Sequence, residues 1–192
     1  MTVLYVLVGG WPASGKSTLA SALAAELGLA LLSKDAIKEA LMDALGAPAS
    51  VEESRRLGRA AVHVALRAAL DVPGAVIDST WFDYTRPLVA RLHGTRVEVR
   101  CHVPLQTARA RFEARVRDGR HLDLQRTAEE LWGEPVAPLG VGPLLEVDTS
   151  RPVDIRALAR RIRSELPDKT EQPATERGIN GATGAHGPTR ES

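Results

Sequence analysis

Short apolar runs alternate along the chain with longer segments in which apolar residues recur at helical spacing. The runs predict five strands, at 3–8, 29–33, 75–78, 96–103 and 144–149. The longer segments predict helices at 19–27, 36–45, 51–70, 105–116, 124–132 and 153–166, and another that begins near Thr85. Strands that alternate with helices favour an α/β domain, with a mostly parallel sheet covered by helices on both faces.

Three of these segments allow finer predictions. The run at 29–33 is consistent with a second buried strand. The strand at 96–103 alternates between polar and apolar residues, as expected of a strand that is exposed or close to a sheet edge. The helix at 51–70 is expected to bury one face, formed by Leu57, Ala61, Val64, Ala65 and Ala68.

The first strand leads into a phosphate-binding pattern. Residues 10–17, with the sequence Gly-Trp-Pro-Ala-Ser-Gly-Lys-Ser, match G-x-x-x-x-G-K-[ST] between a strand and a helix, which is the context that this pattern requires. Glycines let backbone N–H groups curl around phosphate oxygens at the positive end of a helix dipole. Lys16 is expected to reach the β- and γ-phosphates, and Ser17 to ligate the Mg²⁺ that bridges them. The predicted nucleotide-binding residues are Gly10, Ser14, Gly15, Lys16, Ser17 and Thr18.

Composition limits the class of protein. With 192 residues, 44% of them hydrophobic, the chain suits one globular domain, predicted over 1–166. Residues 167–192 are rich in Gly, Thr, Pro and charge, which predicts a disordered tail. A formal charge of +1 gives no overall attraction to nucleic acid or membranes. A single cysteine, Cys101, excludes an intramolecular disulfide, and with no secretory signal or membrane-spanning run we expect a soluble cytoplasmic protein.

Two aspartates follow predicted strands, whose carboxyl ends meet at one edge of a parallel sheet. Asp35 is a candidate catalytic base that accepts or orients an acceptor hydroxyl; alternatively, it caps the helix at 36–45. Asp78 is a candidate ligand of the Mg²⁺ ion, directly or through water, or a substrate contact; the alternative is a buried structural aspartate.

A cluster of arginines follows the fourth strand. On the helix predicted there, Arg111 and Arg115 lie one turn apart on a face that could lean over the phosphates. Arg120 lies on the next loop, which could close as a lid. Together with Lys16 and Asp35, these arginines form the candidate catalytic set. The alternative is a solvated arginine-rich helix with ion pairs among its own residues.

Candidate substrate contacts follow the second and third strands. Aromatic residues near the sheet edge, Trp11 and the pair at 81–82, could stack on a base or a sugar, although core packing is equally consistent with the sequence. His121, beside the lid arginine, is a further possible contact. The predicted substrate residues are Lys38, Asp78, Thr80, Trp81 and Arg86.

Taken in order, several segments resemble a family of small P-loop kinases that includes polynucleotide 5′-hydroxyl kinases, chloramphenicol phosphotransferase and zeta-toxin-like kinases. They are the loop at 10–17, the Asp35-x-x-Lys38 step, 76–80, the arginine segment through 120–121, and 147–150. The resemblance implies a P-loop fold, Asp35 as catalytic base, Asp78 near the metal or substrate, and Arg115 or a neighbour as the lid arginine. Where many members have arginine, this chain has Lys38, which cannot make a planar two-pronged contact with phosphate.

We therefore expect an ATP- and Mg²⁺-dependent kinase that phosphorylates a hydroxyl group of a small molecule, such as a sugar, a nucleoside or an antibiotic-like compound. Two alternatives stay open. One is a polynucleotide 5′-hydroxyl kinase, for which nucleic acid is the acceptor. The other is a nucleotide-dependent regulatory switch. No membrane partner is expected, and the sequence sets no oligomeric state.

Overall fold

A computed structural model of the chain describes residues 3–115, 119–133 and 137–167. The strands are β1 (Leu4–Gly10), β2 (Ala30–Ser33), β3 (Gly74–Asp78), β4 (Thr95–His102) and β5 (Leu144–Asp148). The α-helices are α1 (Lys16–Leu27), α2 (Lys34–Leu45), α3 (Val51–Ala69), α4 (Arg86–Val89), α5 (Leu105–Ala114), α6 (Ala128–Trp132) and α7 (Ile155–Ser164). Single turns of 3₁₀ helix occur at Asp83–Thr85, Gly119–His121 and Asp123–Gln125.

The five strands form one parallel sheet in the order β2-β3-β1-β4-β5, which confirms the predicted fold class. Because all strands run in the same direction, their carboxyl ends lie along one edge of the sheet. Asp78 is in register with Val8 on one side and with Ser33 on the other. The ends of β1, β2 and β3 therefore bring the phosphate-binding loop, Asp78 and the start of α2 together.

The central strand β1 is buried along its whole length and contributes to two cores. Leu4, Val6 and Val8 pack on the side of α1 and α7. Tyr5 and Leu7 pack on the opposite side, with α3 and α4. Helices thus cover both faces of the sheet and hold β1, and the loop that follows it, in a fixed position.

Two helices begin earlier than predicted, because residues of the candidate site form their first turns. α1 begins at Lys16 and ends before Gly28, whose φ of 68° gives a left-handed cap. α2 begins at Lys34, and the hydroxyl of Ser33 caps it by accepting a hydrogen bond from the backbone N–H of Ala36 at 3.4 Å. The alternative that Asp35 is the cap is therefore wrong; this residue lies in the first helical turn.

α3 matches its predicted bounds to within one residue, and Ala61 and Ala65 are buried as predicted, but the buried face is rotated from the predicted one. Val64, predicted to be buried, is 46% exposed. Val62 and Leu66, four residues apart, lie against the core instead. The alanines of this helix fit either face, so the larger apolar residues decide its packing. The buried residues are Ser54, Ala61, Val62, Ala65, Leu66 and Ala69.

The predictions for strands β2 and β4 differ in outcome. β2 is an edge strand with Leu31 42% exposed, so the expectation of a buried strand is wrong. β4 lies one strand in from the other edge, as its alternating pattern predicted. Its Glu98 is nevertheless buried, because its carboxylate accepts hydrogen bonds from the backbone N–H groups of Leu139 and Val141, each at 2.7 Å.

The segment between β4 and β5 departs most from the prediction. α5 ends at Ala114, and residues 116–118 lie outside the described part of the chain. Only a 3₁₀ turn and the short α6 replace the helix predicted at 124–132. The predicted tail beyond Pro167 also lies outside the described residues. Among the described helices, none combines the length and apolar character that a bilayer span requires.

Candidate active site

The phosphate-binding loop joins β1 to α1 along a tight backbone path. Gly10 has a φ of 143°, and a Cβ at this position would lie 2.7 Å from the carbonyl oxygen of Cys101, so only glycine fits. Gly15, with a φ of 85°, leads directly into α1. The backbone N–H of Ser14 donates to the carbonyl of Trp11 at 3.1 Å and closes the loop. The result is a glycine-bearing loop at the N-terminus of a long helix, an arrangement that binds phosphate.

The end of β5 supports this loop. The hydroxyl of Thr149 donates a hydrogen bond of 2.6 Å to the carbonyl of Ser14. The side chain of Ser14 is fully buried, and its Oγ has no hydrogen-bond partner among the described residues. Ser17 and Thr18 are exposed in the first turn of α1. These two hydroxyls are thus accessible to a ligand, whereas Ser14 contributes to the loop from inside.

Lys16, Asp78 and Asp35 form a group of interacting charges beside the loop. Burial lowers the pKa of the Lys16 ammonium, and the carboxylates of Asp78 and Asp35 oppose this change. Burial likewise raises the pKa of Asp78, opposed by the positive charge of Lys16 and by a hydrogen bond from the Ser17 hydroxyl. The structure therefore brings together the predicted base, the loop lysine and the predicted metal ligands.

Asp78 and Ser17 fit a magnesium site. Asp78 is 3% exposed, and its Oδ1 has no hydrogen-bond partner among the described residues, although a buried carboxylate oxygen normally has one. In nucleotide sites Mg²⁺ is typically bound through one or two protein oxygen ligands together with phosphate oxygens. A carboxylate with a buried, unpartnered oxygen next to a loop hydroxyl is a donor set of this kind.

Asp35 faces this group from the first turn of α2. Its Oδ1 accepts a hydrogen bond from the Nζ of Lys34 at 2.8 Å. The side chain of Asp35 is 38% exposed, so an acceptor hydroxyl can approach it. The adjacent lysine therefore holds the carboxylate in one orientation without covering it.

A cavity of about 480 Å³ opens beside these residues. Its volume is in the range of small-molecule binding sites. The loop residues Trp11 and Pro12, helices α2, α3 and α6, and the segment after β3 all contribute to its lining. The lining includes Lys34, which pairs with Asp35, and Thr80, which lies two residues beyond Asp78. The cavity is thus lined by the ion-pair partner of Asp35 and by a residue that closely follows Asp78 in the chain, although neither aspartate is part of the lining.

Two of the predicted substrate residues, Lys38 and Thr80, line this cavity. Lys38 is almost completely buried, and its Nζ donates a hydrogen bond of 2.6 Å to the Oγ of Ser54 on α3. Asp78 lies next to Lys16 rather than in the lining. The predicted substrate set is therefore divided between the cavity and the phosphate-binding loop.

Trp81 and Arg86 are not brought to the cavity. The indole of Trp81 packs in the core, where its N–H donates to the carbonyl of Val8 at 3.0 Å, so it is not placed to stack on a ligand. Arg86 lies at the start of α4 and pairs with Asp83 at 3.3 Å. Their nearness to Asp78 in sequence suggested a role that their packing does not support.

The predicted lid arginines Arg111 and Arg115 contact protein groups near the C-terminal end of α5. Arg111 donates to the carbonyl of Thr149 at 3.1 Å, which links it to the residue that supports the loop. Arg115 pairs with Asp123 at 3.2 Å, and its guanidinium lies over the ring of Phe112. Of the two, Arg111 is the one connected to the phosphate-binding loop.

A chain of polar contacts fastens the segment around Arg120 and His121 to α2 and α3. Arg120 pairs with Asp43 of α2 at 2.7 Å. The Nε2 of buried His121 lies 2.8 Å from a carboxylate oxygen of Glu39. The hydroxyl of Ser54 donates to the backbone carbonyl of His121 at 3.2 Å. Arg120, predicted on a closing loop, is therefore docked against α2, and His121 is a structural contact here.

Sequence reasoning missed the polar face of α3. Arg55, Gly58 and Arg59 of this face line the cavity, as does Arg126 of the segment before α6. The pairs Ser54/Gly58 and Arg55/Arg59, each with four-residue spacing, were the available signal, because residues with this spacing share one side of a helix. It was overlooked because the apolar pattern alone was used to orient α3.

Trp11 and Cys101, left without a clear role by the sequence, are both packed. The ring of Trp11 lies against Trp132 of α6, with centroids 5.9 Å apart, and so joins the loop to α6. Cys101 is buried beneath the loop, and burial raises the pKa of its thiol to about 12. The thiol is thus neutral at ordinary pH and unsuited to act as a nucleophile.

Comparison with known families agrees with this geometry. The family model described as an AAA domain matches residues 5–131. The chain belongs to this family. The chain is 34% identical over 129 residues to uncharacterised proteins of Mycobacterium tuberculosis (strain ATCC 25618 / H37Rv) and Mycobacterium bovis. These matches cover 59% of this chain but 26% of each relative, so the chain corresponds to about a quarter of those proteins.

Several solved structures share the fold of this chain. A candidate kinase from Chloroflexus aurantiacus is 30% identical, with a TM-score of 0.74 over 86% of this chain and 99% of that one. A sugar kinase from a Janibacter species matches with 21% identity and a TM-score of 0.53, over 86% and 94% of the two chains. The APS kinase of Mycobacterium tuberculosis matches with 23% identity and a TM-score of 0.52, over 85% and 96%. The chain thus has the fold of the P-loop kinases.

Proposed function

We propose that this protein is a kinase that transfers the γ-phosphoryl group of ATP to a hydroxyl group of a small molecule. The observation that carries the proposal is the convergence of Lys16, Asp78 and Asp35 next to a cavity of about 480 Å³. The loop provides a site for the donor phosphates, and the cavity provides one for the acceptor. The similarity to the Chloroflexus aurantiacus candidate kinase supports this assignment.

On the donor side, Lys16 and the backbone N–H groups of the loop would contact the β- and γ-phosphates. The Ser17 hydroxyl and the Asp78 carboxylate would hold Mg²⁺, which neutralises charge on the transferred group when it is bound. Arg111 is connected to the loop through Thr149 and is the arginine that we assign to the developing negative charge.

On the acceptor side, Asp35 would accept a hydrogen bond from the attacking hydroxyl and take its proton as the new oxygen–phosphorus bond forms, while the bond between the γ-phosphorus and the β–γ bridging oxygen of ATP breaks and ADP leaves. Lys34 orients this carboxylate through the 2.8 Å hydrogen bond. The bounded cavity favours an acceptor of small-molecule size over a polynucleotide.

The Asp35→Asn variant tests the proposal, because it keeps the shape of the side chain but removes the base. We expect phosphoryl transfer to fall by about 10²- to 10⁴-fold while ATP affinity, measured by calorimetry, stays nearly unchanged. Transfer is measured by mass spectrometry on sugars, nucleosides, antibiotics and short oligonucleotides. Asp71→Asn is the control, since Asp71 is exposed at the end of α3 and pairs with Arg67.

Each other outcome has a clear meaning. A fully active Asp35→Asn enzyme would contradict the assignment of the base. Transfer to oligonucleotides alone would favour a polynucleotide kinase. ATP-dependent binding of a protein partner, with no phosphorylated product from any acceptor, would favour a regulatory switch.

A further inference from the structure

The cavity beside Asp35 is lined by an excess of positive charge. Its cationic side chains outnumber its carboxylates by three, whereas the whole chain has a formal charge of only +1. The charged lining residues are Lys34, Lys38, Arg55, Arg59, Arg126, Glu129 and Glu130. Even when Asp35, the partner of Lys34, is counted, the excess is positive. A cavity of this kind attracts an anion.

Two of the lining arginines form no ion pair in the described part of the chain: Arg59, which is exposed, and Arg126, which is half-buried and contributes electrostatically to the lowered pKa of Glu130. Within the described ranges, Arg59 makes no ion pair or hydrogen bond, while Arg55 on the same helix pairs with Glu130. The Nε of Arg126 is buried and has no hydrogen-bond partner among the described residues. A buried guanidinium N–H without an acceptor is costly, and an anion bound in the cavity would supply one.

The hydroxyl of Tyr84 lies near Arg59 and adds a neutral donor. Arg59 acts electrostatically on Tyr84, opposing the rise in the pKa of its phenol that burial causes. The phenol is therefore protonated at ordinary pH and can donate a hydrogen bond. Arg59, Tyr84 and Arg126 all lie on elements other than the loop, the start of α2 and the end of β3. They are thus separate from the residues assigned to the donor phosphates and to Asp35.

We propose that the acceptor carries an anionic group, a carboxylate or a phosphate monoester, that is bound by Arg59 and Arg126 with the Tyr84 hydroxyl, while its reacting hydroxyl faces Asp35. This inference rests on the proposed function and adds the substrate class to it. Guanidinium groups suit both anions, because their planar N–H fork matches two oxygens of a carboxylate or a phosphate. The proposed anion site holds the acceptor in place and contributes no atom to the transfer itself.

The test measures binding by calorimetry with the loop already filled by Mg²⁺ and a non-hydrolysable ATP analogue, so that the probe anion meets only the cavity. The probes are two matched sets, and the members of each set share one carbon skeleton. The first set is glycerol, glycerate and glycerol phosphate. The second is a hexose, its aldonic acid and its 6-phosphate. We expect an anionic member to bind at least about tenfold more tightly than its neutral parent. The carboxylate and phosphate arms show which anion the site takes.

Arg59→Gln and Arg126→Gln are each expected to lower the affinity for the anionic probe by about tenfold and to leave the affinity for its neutral parent unchanged. Arg56→Gln is the matched control, because Arg56 lies on the same helix, is exposed, and is not part of the lining. Thermal unfolding of each variant checks that the fold is intact.

Three outcomes would overturn the inference: equal binding of neutral and anionic members, no binding of any anionic member, or an equal loss in Arg56→Gln. Phosphoryl transfer measured on the same probes separates the two proposals. Charge-selective binding without a phosphorylated product would support the anion site and count against the kinase. Transfer to neutral acceptors, unchanged in the Arg59→Gln and Arg126→Gln variants, would support the kinase and contradict the anion site.

Discussion

The two sides of the candidate site are held in place by different interactions. The donor side, formed by the loop and Asp78, extends from β1 and β3, whose residues are all buried. The acceptor side, formed by α2, α3 and the segment from 119 to 132, is joined by polar contacts such as those of Ser54 and His121. Packing and backbone geometry thus fix most of the donor side. On the acceptor side α3 packs in the core, but side-chain hydrogen bonds and ion pairs hold the segment from 119 to 132 against α2 and α3.

This difference suits a site that binds one constant and one selected ligand. A nucleotide phosphate demands the same loop geometry whatever the acceptor, so rigidity is useful there. An acceptor is recognised by its own shape and charge, which a surface built from side chains can match. The variants below change one side at a time, beginning with the largest expected effect.

Gly10→Val should damage the donor side most. A Cβ at this position would lie 2.7 Å from a backbone carbonyl, and the φ of 143° is unsuited to a β-branched residue. We expect a loss of at least ~3 kcal/mol in the free energy of unfolding, together with loss of ATP binding, measured by urea unfolding and calorimetry. Gly119→Ala is the control, since no atom of the described residues lies within 4 Å of its added Cβ. A Gly10→Val protein as stable as the parent would show that the loop is not fixed by its backbone.

Ser54→Ala should weaken the acceptor side alone. The buried hydroxyl of Ser54 accepts a hydrogen bond from Lys38 and donates one to the carbonyl of His121. Its removal is expected to cost ~1–3 kcal/mol in the free energy of unfolding and to raise the KM for the acceptor, with ATP affinity unchanged. Ser164→Ala, on the exposed end of α7, should change stability by less than ~0.5 kcal/mol. A parallel loss of ATP affinity in Ser54→Ala would mean that the two sides are not separable.

Substitutions of Gly58 should have the smallest effect on the free energy of unfolding, but a large side chain at this position should impair acceptor binding. Gly58→Ala should stabilise α3 by ~0.5–1 kcal/mol, since its Cβ would make only ordinary contact, 3.6 Å from the Lys34 side chain. Gly58→Leu would project into the cavity and block the acceptor while leaving ATP binding intact. Thermal unfolding and steady-state kinetics measure the two effects. Unchanged acceptor kinetics in Gly58→Leu would show that the acceptor binds elsewhere.

The donor side could be predicted from the sequence because its determinants are local. Eight consecutive residues, preceded by a strand and followed by a helix, define the loop. The contacts of the acceptor side join residues that are far apart: Ser54 and His121 are separated by 67 positions, and Glu39 and His121 by 82. The periodicity of one segment cannot predict contacts between residues so far apart in sequence, so these contacts are visible only in the folded structure.

The position of Trp81 shows a related limit of sequence reasoning. Its place just after Asp78 suggested a ligand contact, but the indole turns towards β1, where Gly9 leaves room for it. A Cβ at Gly9 would lie only 2.8 Å from the Trp81 ring. Gly9 lies in β1 and Trp81 lies three residues beyond the end of β3, so their fit to each other cannot be recognised from separate segments of the chain.

The ring contact between Trp11 and Trp132 lies where the two sides of the site meet, because one indole belongs to the phosphate-binding loop and the other to α6. Two indoles with centroids 5.9 Å apart are close enough for their electronic transitions to couple. The native protein therefore contains an unlabelled chromophore pair at this boundary. Its near-ultraviolet circular dichroism and its emission depend on how α6 is seated against the loop, and so report the relative position of the donor and acceptor sides directly.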